Sequence, residues 1–117
     1  MAINIVGGTV SPTTALTTNS QTGTTYTLVL TDANNTMVEL NNASAITLTI
    51  PLNSSVGFPV GSQINLLQIG AGQVTVAGTS GVTLNATPGA KLRTQWSGAT
   101  LIKRATDTWV LLGDISA

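Results

Sequence analysis

Apolar and polar residues alternate in several short runs of the chain from about residue 24 onward. An apolar residue at every second position is typical of a β-strand that turns one face toward a core. The apolar positions of these runs are Tyr26, Leu28 and Leu30; Ile46, Leu48 and Ile50; Val74 and Val76; and Val82 and Leu84. No stretch has the spacing of an amphipathic helix, so the pattern predicts strands.

Turn-forming residues separate these runs. The separating segments are TDANNT at 31–36, NNAS at 41–44, GAG at 70–72, GTSG at 78–81 and TPG at 87–89. Glycine and asparagine tolerate the positive φ angles that tight hairpins need. We therefore predict an all-β fold, an antiparallel β-sandwich or barrel of short strands with an extended N-terminal arm.

Two prolines interrupt the strand pattern in the middle of the chain. Pro51 and Pro59 bracket the segment LNSSVGF. Because proline cannot donate a backbone hydrogen bond, this segment is predicted to be a loop rather than a central strand. Phe58 is expected to anchor the loop on the core.

The first 23 residues differ from the rest in being rich in Thr, Ser and Gly, with only scattered apolar positions. We predict two parts, an N-terminal arm at 1–23 and a β domain at 24–117. Ile3, Ile5 and Val6 are apolar although they precede the alternating pattern, and an extended segment of this kind can add to the edge of another sheet. We expect these three residues to contact a partner, the alternative being a frayed terminus.

Composition excludes several kinds of chemistry. The chain has no cysteine and no histidine, which removes disulfides, thiolate catalysis, the commonest metal ligand and the usual general base near neutral pH. Charged residues make up 7% of the chain, against about 25% in ordinary globular proteins, and the formal net charge is zero. A neutral surface argues against nucleic-acid binding, and no apolar run approaches the ~20 residues that span a bilayer. We expect no cofactor, metal, nucleic acid or membrane.

The acidic residues provide a weak case for catalysis. A glycosidase needs two carboxyl groups that flank the scissile bond, and the chain offers Asp32, Glu39, Asp107 and Asp114. Asp32 and Asp107 lie in turn signals, where aspartate is expected for its own backbone hydrogen bonds. The sequence IGAGQVTVAG contains a Gly-x-Gly, but a strand pattern follows it where a phosphate-binding loop needs a helix. We therefore predict no catalytic residues and no enzyme.

The segment ATLIKRATDTWVLLGD, residues 99–114, is predicted to be the final hairpin of the domain. Trp109 and Leu111 would share one face of its second strand, and Val110 and Leu112 the other. Since two apolar faces are more than one core requires, Val110 and Leu112 are predicted to contact a sister subunit.

Half of the formal charges of the chain fall in this hairpin, at Lys103, Arg104, Asp107 and Asp114. We expect the turn at 106–107, with the first three of these charges at the exposed end of the hairpin. Most of the aromatic residues are expected to pack in a core or an interface, and for Trp96, in LRTQWSG, an exposed position stays an open alternative.

Several segments from about Gly23 to the end, in their order, resemble a module that recurs in structural proteins of tailed bacteriophages. The segments are TYTLVLTDANNTMVELNNASAITLTIP, FPVGSQINLLQIGAGQVTVAG, GVTLNATPGAKLRTQWSGATLIK and DTWVLLGDI. They cover about four-fifths of the chain and are specific in combination, although each is only a strand or a turn. The resemblance implies a virion component, generally a homotrimer, without catalytic residues.

Tail-fibre proteins and small head-decoration proteins both carry the module. The chain begins with Met and ends just after the last predicted strand, which favours a decoration protein on the exterior of the capsid over the tip of a long shaft. We expect it to self-associate, to bind the major capsid protein through the arm and one face, and to stabilise the shell. The alternative is a tail-fibre or receptor-binding module that contacts host surface polysaccharide.

Overall fold

The computed structural model describes residues 15–117, and these form an all-β domain without an α-helix. Eleven strands and one short 3₁₀ turn at Leu30–Ala33 make up its regular structure. The strands are β1 (Thr17–Gln21), β2 (Thr25–Thr27), β3 (Thr36–Leu40), β4 (Ile46–Ile50), β5 (Gln63–Gln68), β6 (Val74–Gly78), β7 (Thr83–Asn85), β8 (Lys91–Leu92), β9 (Gly98–Ala105), β10 (Thr108–Gly113) and β11 (Ile115–Ser116).

The strands form two sheets, and the chain passes from one to the other after each of the first six strands. The six-stranded sheet has the order β1-β3-β5-β9-β10-β7, and the five-stranded sheet the order β11-β8-β6-β4-β2. Within each sheet the strands from β1 to β6 pair with one another in parallel. The arrangement is solenoid-like: each turn of the chain adds one strand to each sheet and stacks on the turn before it.

The prediction of an all-β fold is confirmed, but the antiparallel sandwich or barrel is wrong. Period-two alternation indicates that a strand has one buried face, but it does not predict whether the neighbouring strand is parallel or antiparallel. The Asn- and Gly-rich turns were interpreted as hairpins, whereas most of them carry the chain across to the other sheet. Antiparallel pairing is confined to the later strands: β8 lies antiparallel to β6 and β11, and β9 lies antiparallel to β5 and β10, whereas β7 is parallel to β10.

The core lies between the two sheets and is filled by their inward side chains. These come from the alternating positions that the sequence predicted for Ile46, Leu48 and Ile50, and from their counterparts on the other strands. The run beginning at Tyr26 is shorter than expected, because the 3₁₀ turn starts at Leu30 and leaves that side chain exposed. Further fully buried members are Leu28, Val38, Leu40, Ile64, Leu66, Val74, Leu92, Leu101, Trp109 and Leu111.

Tight turns stack along one side of the solenoid at residues 22–24, 41–45 and 69–73. Hydrogen bonds join neighbouring turns. The Gly72 N–H donates to the Asn42 carbonyl oxygen (2.8 Å), and the Asn42 side chain donates to the Thr22 carbonyl oxygen (2.8 Å). A Cβ on Gly72 would overlap the backbone of Ser44, so glycine is needed for this close approach. We call these three segments the turn stack.

Residues 17–21, which the sequence placed in the arm, form strand β1 at the edge of the six-stranded sheet. Ile3, Ile5 and Val6 lie outside the described residues, so their predicted partner contact stays a prediction. Within 15–117, no helix is long and apolar enough to cross a membrane.

Candidate functional site

A polar cluster closes the N-terminal end of the core. The Tyr26 hydroxyl donates to Asp32 Oδ2 (2.6 Å), and Asn19 Nδ2 lies within hydrogen-bond distance of Asp32 Oδ1 (2.9 Å) and of the Tyr26 hydroxyl (2.8 Å). The Val29 N–H also donates to Asp32 (2.9 Å). Burial, together with the neighbouring carboxylate of Asp32, raises the pKa of Tyr26 well above its usual range.

The position of this cluster explains its composition. Asn19 lies opposite Val38 and Tyr26 lies opposite Leu48 in the strand registers, so both point inward over apolar residues of the next turn of the solenoid. A terminal turn of a solenoid has a neighbour on one side only, and polar side chains there can end the stack. Asp32 is only 1% exposed, so the structure favours a capping role over a substrate-accessible one.

The charged hairpin at the other end of the sequence is built differently from the expectation. Lys103 is 2% exposed instead of lying at an exposed hairpin end. Its Nζ donates to Asn53 Oδ1 (2.6 Å) and to the Phe58 carbonyl oxygen (2.6 Å). The sequence contained the signal for this burial, because Lys103 is in phase with the inward residues Ala99 and Leu101 of the same strand.

Asp107 joins the same loop from the hairpin turn. The turn falls at the predicted place, and Asp107 adopts a φ of 51°, a conformation that aspartate tolerates better than most residues. Its Oδ1 accepts a hydrogen bond from the Asn53 N–H (2.7 Å). Lys103 and Asp107 therefore fasten the 51–62 loop to the hairpin, whereas Arg104, the residue next to Lys103, is exposed. These contacts assign Lys103 and Asp107 a structural role.

The loop itself matches its prediction. It separates β4 from β5, and Phe58, 2% exposed, packs edge to face on Trp109 with ring centroids 5.4 Å apart. The predicted division of β10 into two faces is also confirmed, since Trp109 and Leu111 are buried and Leu112 is 52% exposed.

Trp96 occupies an exposed turn that a third polar cluster holds in place. The backbone N–H of Trp96 donates to the Gln68 carbonyl oxygen (2.6 Å), and Ser97 Oγ donates to Asp114 Oδ2 (2.7 Å). Arg93 forms a two-pronged ion pair with Asp114, at 2.7 and 3.0 Å. Hydrogen bonding from Arg93, and then from Ser97, lowers the pKa of Asp114.

Trp96 is unusual among the aromatic residues of the chain. It is 65% exposed, and its φ of 71° lies in the left-handed region that bulky side chains rarely adopt. Neither property could be predicted from the surrounding LRTQWSG, which has the composition of an ordinary polar turn. The fixed turn and the exposed indole ring make Trp96 a candidate contact residue.

The four carboxylates lie in four separate environments. Asp32 belongs to the N-terminal cluster, Asp107 to the hairpin turn and Asp114 to the Trp96 turn, while Glu39 lies on the outer side of β3 near Ser20. Among residues 15–117, no group of three or more acidic, cysteine or histidine side chains is placed to hold a metal ion.

The outer face of the six-stranded sheet carries the predicted subunit-contact residues. Val110 lies directly opposite Ile102, and Leu112 lies diagonally beyond them, opposite Thr100. Leu67 and Met37 occupy outward positions on β5 and β3, and the hydrogen-bonded polar residues Asn65 and Thr100 lie between Met37 and Leu112. We call Met37, Leu67, Ile102, Val110 and Leu112 the outer apolar patch. Its contact with a sister subunit stays a prediction.

The fold and these clusters define the protein as a small, solenoid-like all-β domain with two loop-fastening polar clusters, a capped end and several apolar residues on its outer sheet face. The chain matches no protein-family model and no curated protein.

Proposed function

We propose that the protein is a structural component of a bacteriophage virion, a capsid decoration protein that self-associates and stabilises the shell. The observation that carries the proposal is the outer apolar patch, which lies on the broadest sheet of a rigid domain. The face of a sheet that is turned to water ordinarily carries polar residues. An apolar patch on such a face is typical of a protein interface. The segments that resemble phage virion modules supply the identity of the assembly.

Two features of the domain suit a load-bearing role. Every buried side-chain nitrogen and oxygen in the described part of the chain has a hydrogen-bond partner, so these buried polar groups do not weaken the folded state. The longest loop, at 51–62, is fastened to the hairpin by Lys103 and Asp107. Binding to an assembled shell then stabilises that shell by mass action, each contact being small and the copies numerous.

In this proposal the outer apolar patch joins the copies, as a trimer, and the arm at 1–23 contacts the major capsid protein on the exterior of the head. The partition of the chain between virion parts tests it. Phage heads and tails are separated, and the chain is quantified in each fraction by mass spectrometry and located by immunogold labelling. A decoration protein is expected in many copies on heads. Few copies confined to tails, or none in the particle, would overturn the proposal.

The exposed Trp96 favours a second candidate, a tail-fibre or receptor-binding module that contacts polysaccharide on the host surface. An exposed aromatic ring is a common element of surfaces that recognise a partner. In the same fractionation this candidate predicts the chain on tails alone. The two candidates therefore give opposite results in one experiment.

A further inference from the structure

The Trp96 turn combines properties that packing does not explain. The side chain is 65% exposed, while the backbone holds a left-handed conformation at a φ of 71°. A bulky residue in that region is strained, and such strain persists only where the surroundings determine the conformation. A glycine at position 96 would adopt the same backbone without strain. Packing of so exposed a side chain offers little to offset that strain.

The turn is held rigidly on three sides. The Trp96 N–H binds the carbonyl of Gln68, a residue that is itself 1% exposed, and Gln95 Nε2 donates to the Ile69 carbonyl (2.9 Å). Ser97 closes the turn, since its Oγ accepts from the Thr94 N–H (3.0 Å) and donates to Asp114 (2.7 Å). The indole is thus presented from a fixed position, which lowers the ordering entropy that a ligand must overcome.

The Trp96 turn exposes the polar side chains of Thr94 and Gln95, and the next layer, residues 69–73, exposes only Ala71. Gln95 and Gln68 join the Trp96 turn to residues 69–73, so the turn extends the turn stack by one layer. Adjacent layers of a sheet are about 4.8 Å apart, a spacing close to the length of one pyranose unit. The exposed polar side chains along these layers are Thr22, Thr24, Asn41, Ser44, Thr94 and Gln95. Arg93 and Asp114, the charges nearest in sequence, are paired with each other.

We propose that Trp96 and the adjoining turn stack form a binding site for a neutral oligosaccharide. The indole ring stacks on the apolar face of one sugar ring. The exposed hydroxyl and amide groups of Thr94 and Gln95 in the same turn, and those of Asn41 and Ser44 beyond residues 69–73, exchange hydrogen bonds with the sugar hydroxyls. A polyanion is disfavoured because no unpaired basic side chain is described in these layers. The site belongs to the isolated domain and does not depend on head or tail location.

The test uses the full chain and four neutral hexasaccharides, built of glucose, galactose, mannose and N-acetylglucosamine. Isothermal titration calorimetry measures affinity for the native chain and for Trp96→Gly, Trp96→Phe and Val60→Ala. Val60 is exposed to a similar degree, 63%, and lies in the 51–62 loop, outside the turn stack. We expect the native chain to bind at least one hexasaccharide with a dissociation constant of about 1 mM or tighter. Trp96→Gly should weaken that binding at least about tenfold, whereas Trp96→Phe and Val60→Ala should retain most of it.

Thermal unfolding separates loss of the site from loss of the fold. Because glycine relieves the backbone strain, Trp96→Gly should unfold at the native temperature or above it while having lost the ligand. The inference is overturned if none of the four hexasaccharides binds the native chain, or if Trp96→Gly binds as well as the native chain. A variant that loses self-association without any saccharide binding would assign Trp96 to a protein contact and overturn it equally.

Discussion

Lys103 and Phe58 are joined by a hydrogen bond of 2.6 Å from the lysine Nζ to the phenylalanine carbonyl oxygen, and both residues are 2% exposed. The ring of Phe58 packs on Trp109, so the loop that carries Phe58 is fixed both by its side chain and by its backbone. Lys103, although charged, therefore anchors the 51–62 loop.

Replacing Lys103 with methionine tests this anchor. The variant fills similar space but leaves the Phe58 carbonyl and the Asn53 side chain without their donor, and an unsatisfied buried polar group costs about 1–3 kcal/mol. We expect the free energy of unfolding, measured in urea, to fall by about that amount, with faster amide exchange in residues 51–62. Arg104→Met is the matched control, since Arg104 is exposed and should change stability by less than about 0.5 kcal/mol. Equal stability of both variants would contradict the anchor.

Lys103 also shows which properties of a side chain can be predicted from the sequence and which cannot. Its phase with Ala99 and Leu101 predicts an inward side chain, yet its charge suggested the exposed end of a hairpin. What completes the burial is a pair of acceptors, on Asn53 and Phe58, that lie 50 and 45 residues away in the chain. Local pattern predicts the direction of a side chain, whereas the partners that make the direction tolerable are set by tertiary structure.

The same distinction explains the fold. The positions of most strands and turns follow from alternation and from glycine, asparagine and proline, and the buried faces of β4 and β10 are as predicted. The pairing of strands is a long-range property, and the parallel order arises because successive turns cross between sheets. Gly72 marks one such crossing, since only glycine fits against the backbone of Ser44, but no local pattern distinguishes this requirement from that of a hairpin turn.

Gly72 provides the second prediction. Gly72→Ala places a methyl group on the Ser44 backbone, so neighbouring turns of the stack must separate. We expect a loss of stability of more than about 2 kcal/mol in urea unfolding, as for other severe backbone conflicts. In Gly57→Ala the new methyl group would lie 3.7 Å from the Asn53 carbonyl oxygen, an ordinary contact, and stability should stay within about 1 kcal/mol of native. If Gly72→Ala is as stable as Gly57→Ala, the tight approach between turns is not required.

Tyr26 predicts the behaviour of the protein at alkaline pH. Its pKa is raised in the folded state, chiefly by burial and then by Asp32, so folding favours the protonated phenol. This contribution is complete below the pKa of an unfolded tyrosine, about 10, and is lost as the pH rises through the folded value. Stability should therefore fall above about pH 10. Because Tyr26 is the only tyrosine in the chain, phenolate absorbance reports its ionisation directly. The absorbance should rise at a higher pH in the folded chain than in the chain unfolded by urea.

Tyr26→Phe separates the hydroxyl from the ring. The variant deprives buried Asp32 of a donor at 2.6 Å and should lose about 1–3 kcal/mol at neutral pH, while the part of the alkaline loss due to Tyr26 disappears. An ordinary tyrosine titration in the native chain, or an unchanged alkaline limb in Tyr26→Phe, would contradict the account of this cluster.

Asp114 predicts the response of the Trp96 turn to acid. Its pKa is lowered by hydrogen bonds from Arg93 and Ser97, so its stabilising contribution is present above the pKa of an unfolded aspartate and is lost as the pH falls through the lower folded value. Carboxyl titration by NMR should place Asp114 below the ordinary range. Amide exchange at residues 94–97 should accelerate on acidification and in Asp114→Asn at neutral pH. Glu39→Gln is the control and should leave this turn unchanged; equal effects of the two substitutions would contradict the arrangement.

The outer apolar patch supplies the last prediction. Val110 lies opposite Ile102 on the outer side of the sheet, so aspartate there would place a charge within the proposed contact without entering the core. Desolvating an unpaired carboxylate is strongly unfavourable. We expect Val110→Asp to sediment as a monomer under conditions in which the native chain sediments as an oligomer. Circular dichroism should show an intact fold. Val60→Asp adds the same charge to the 51–62 loop and should remain oligomeric. A native chain that sediments as a monomer, or an oligomeric Val110→Asp, would remove this patch from the assembly.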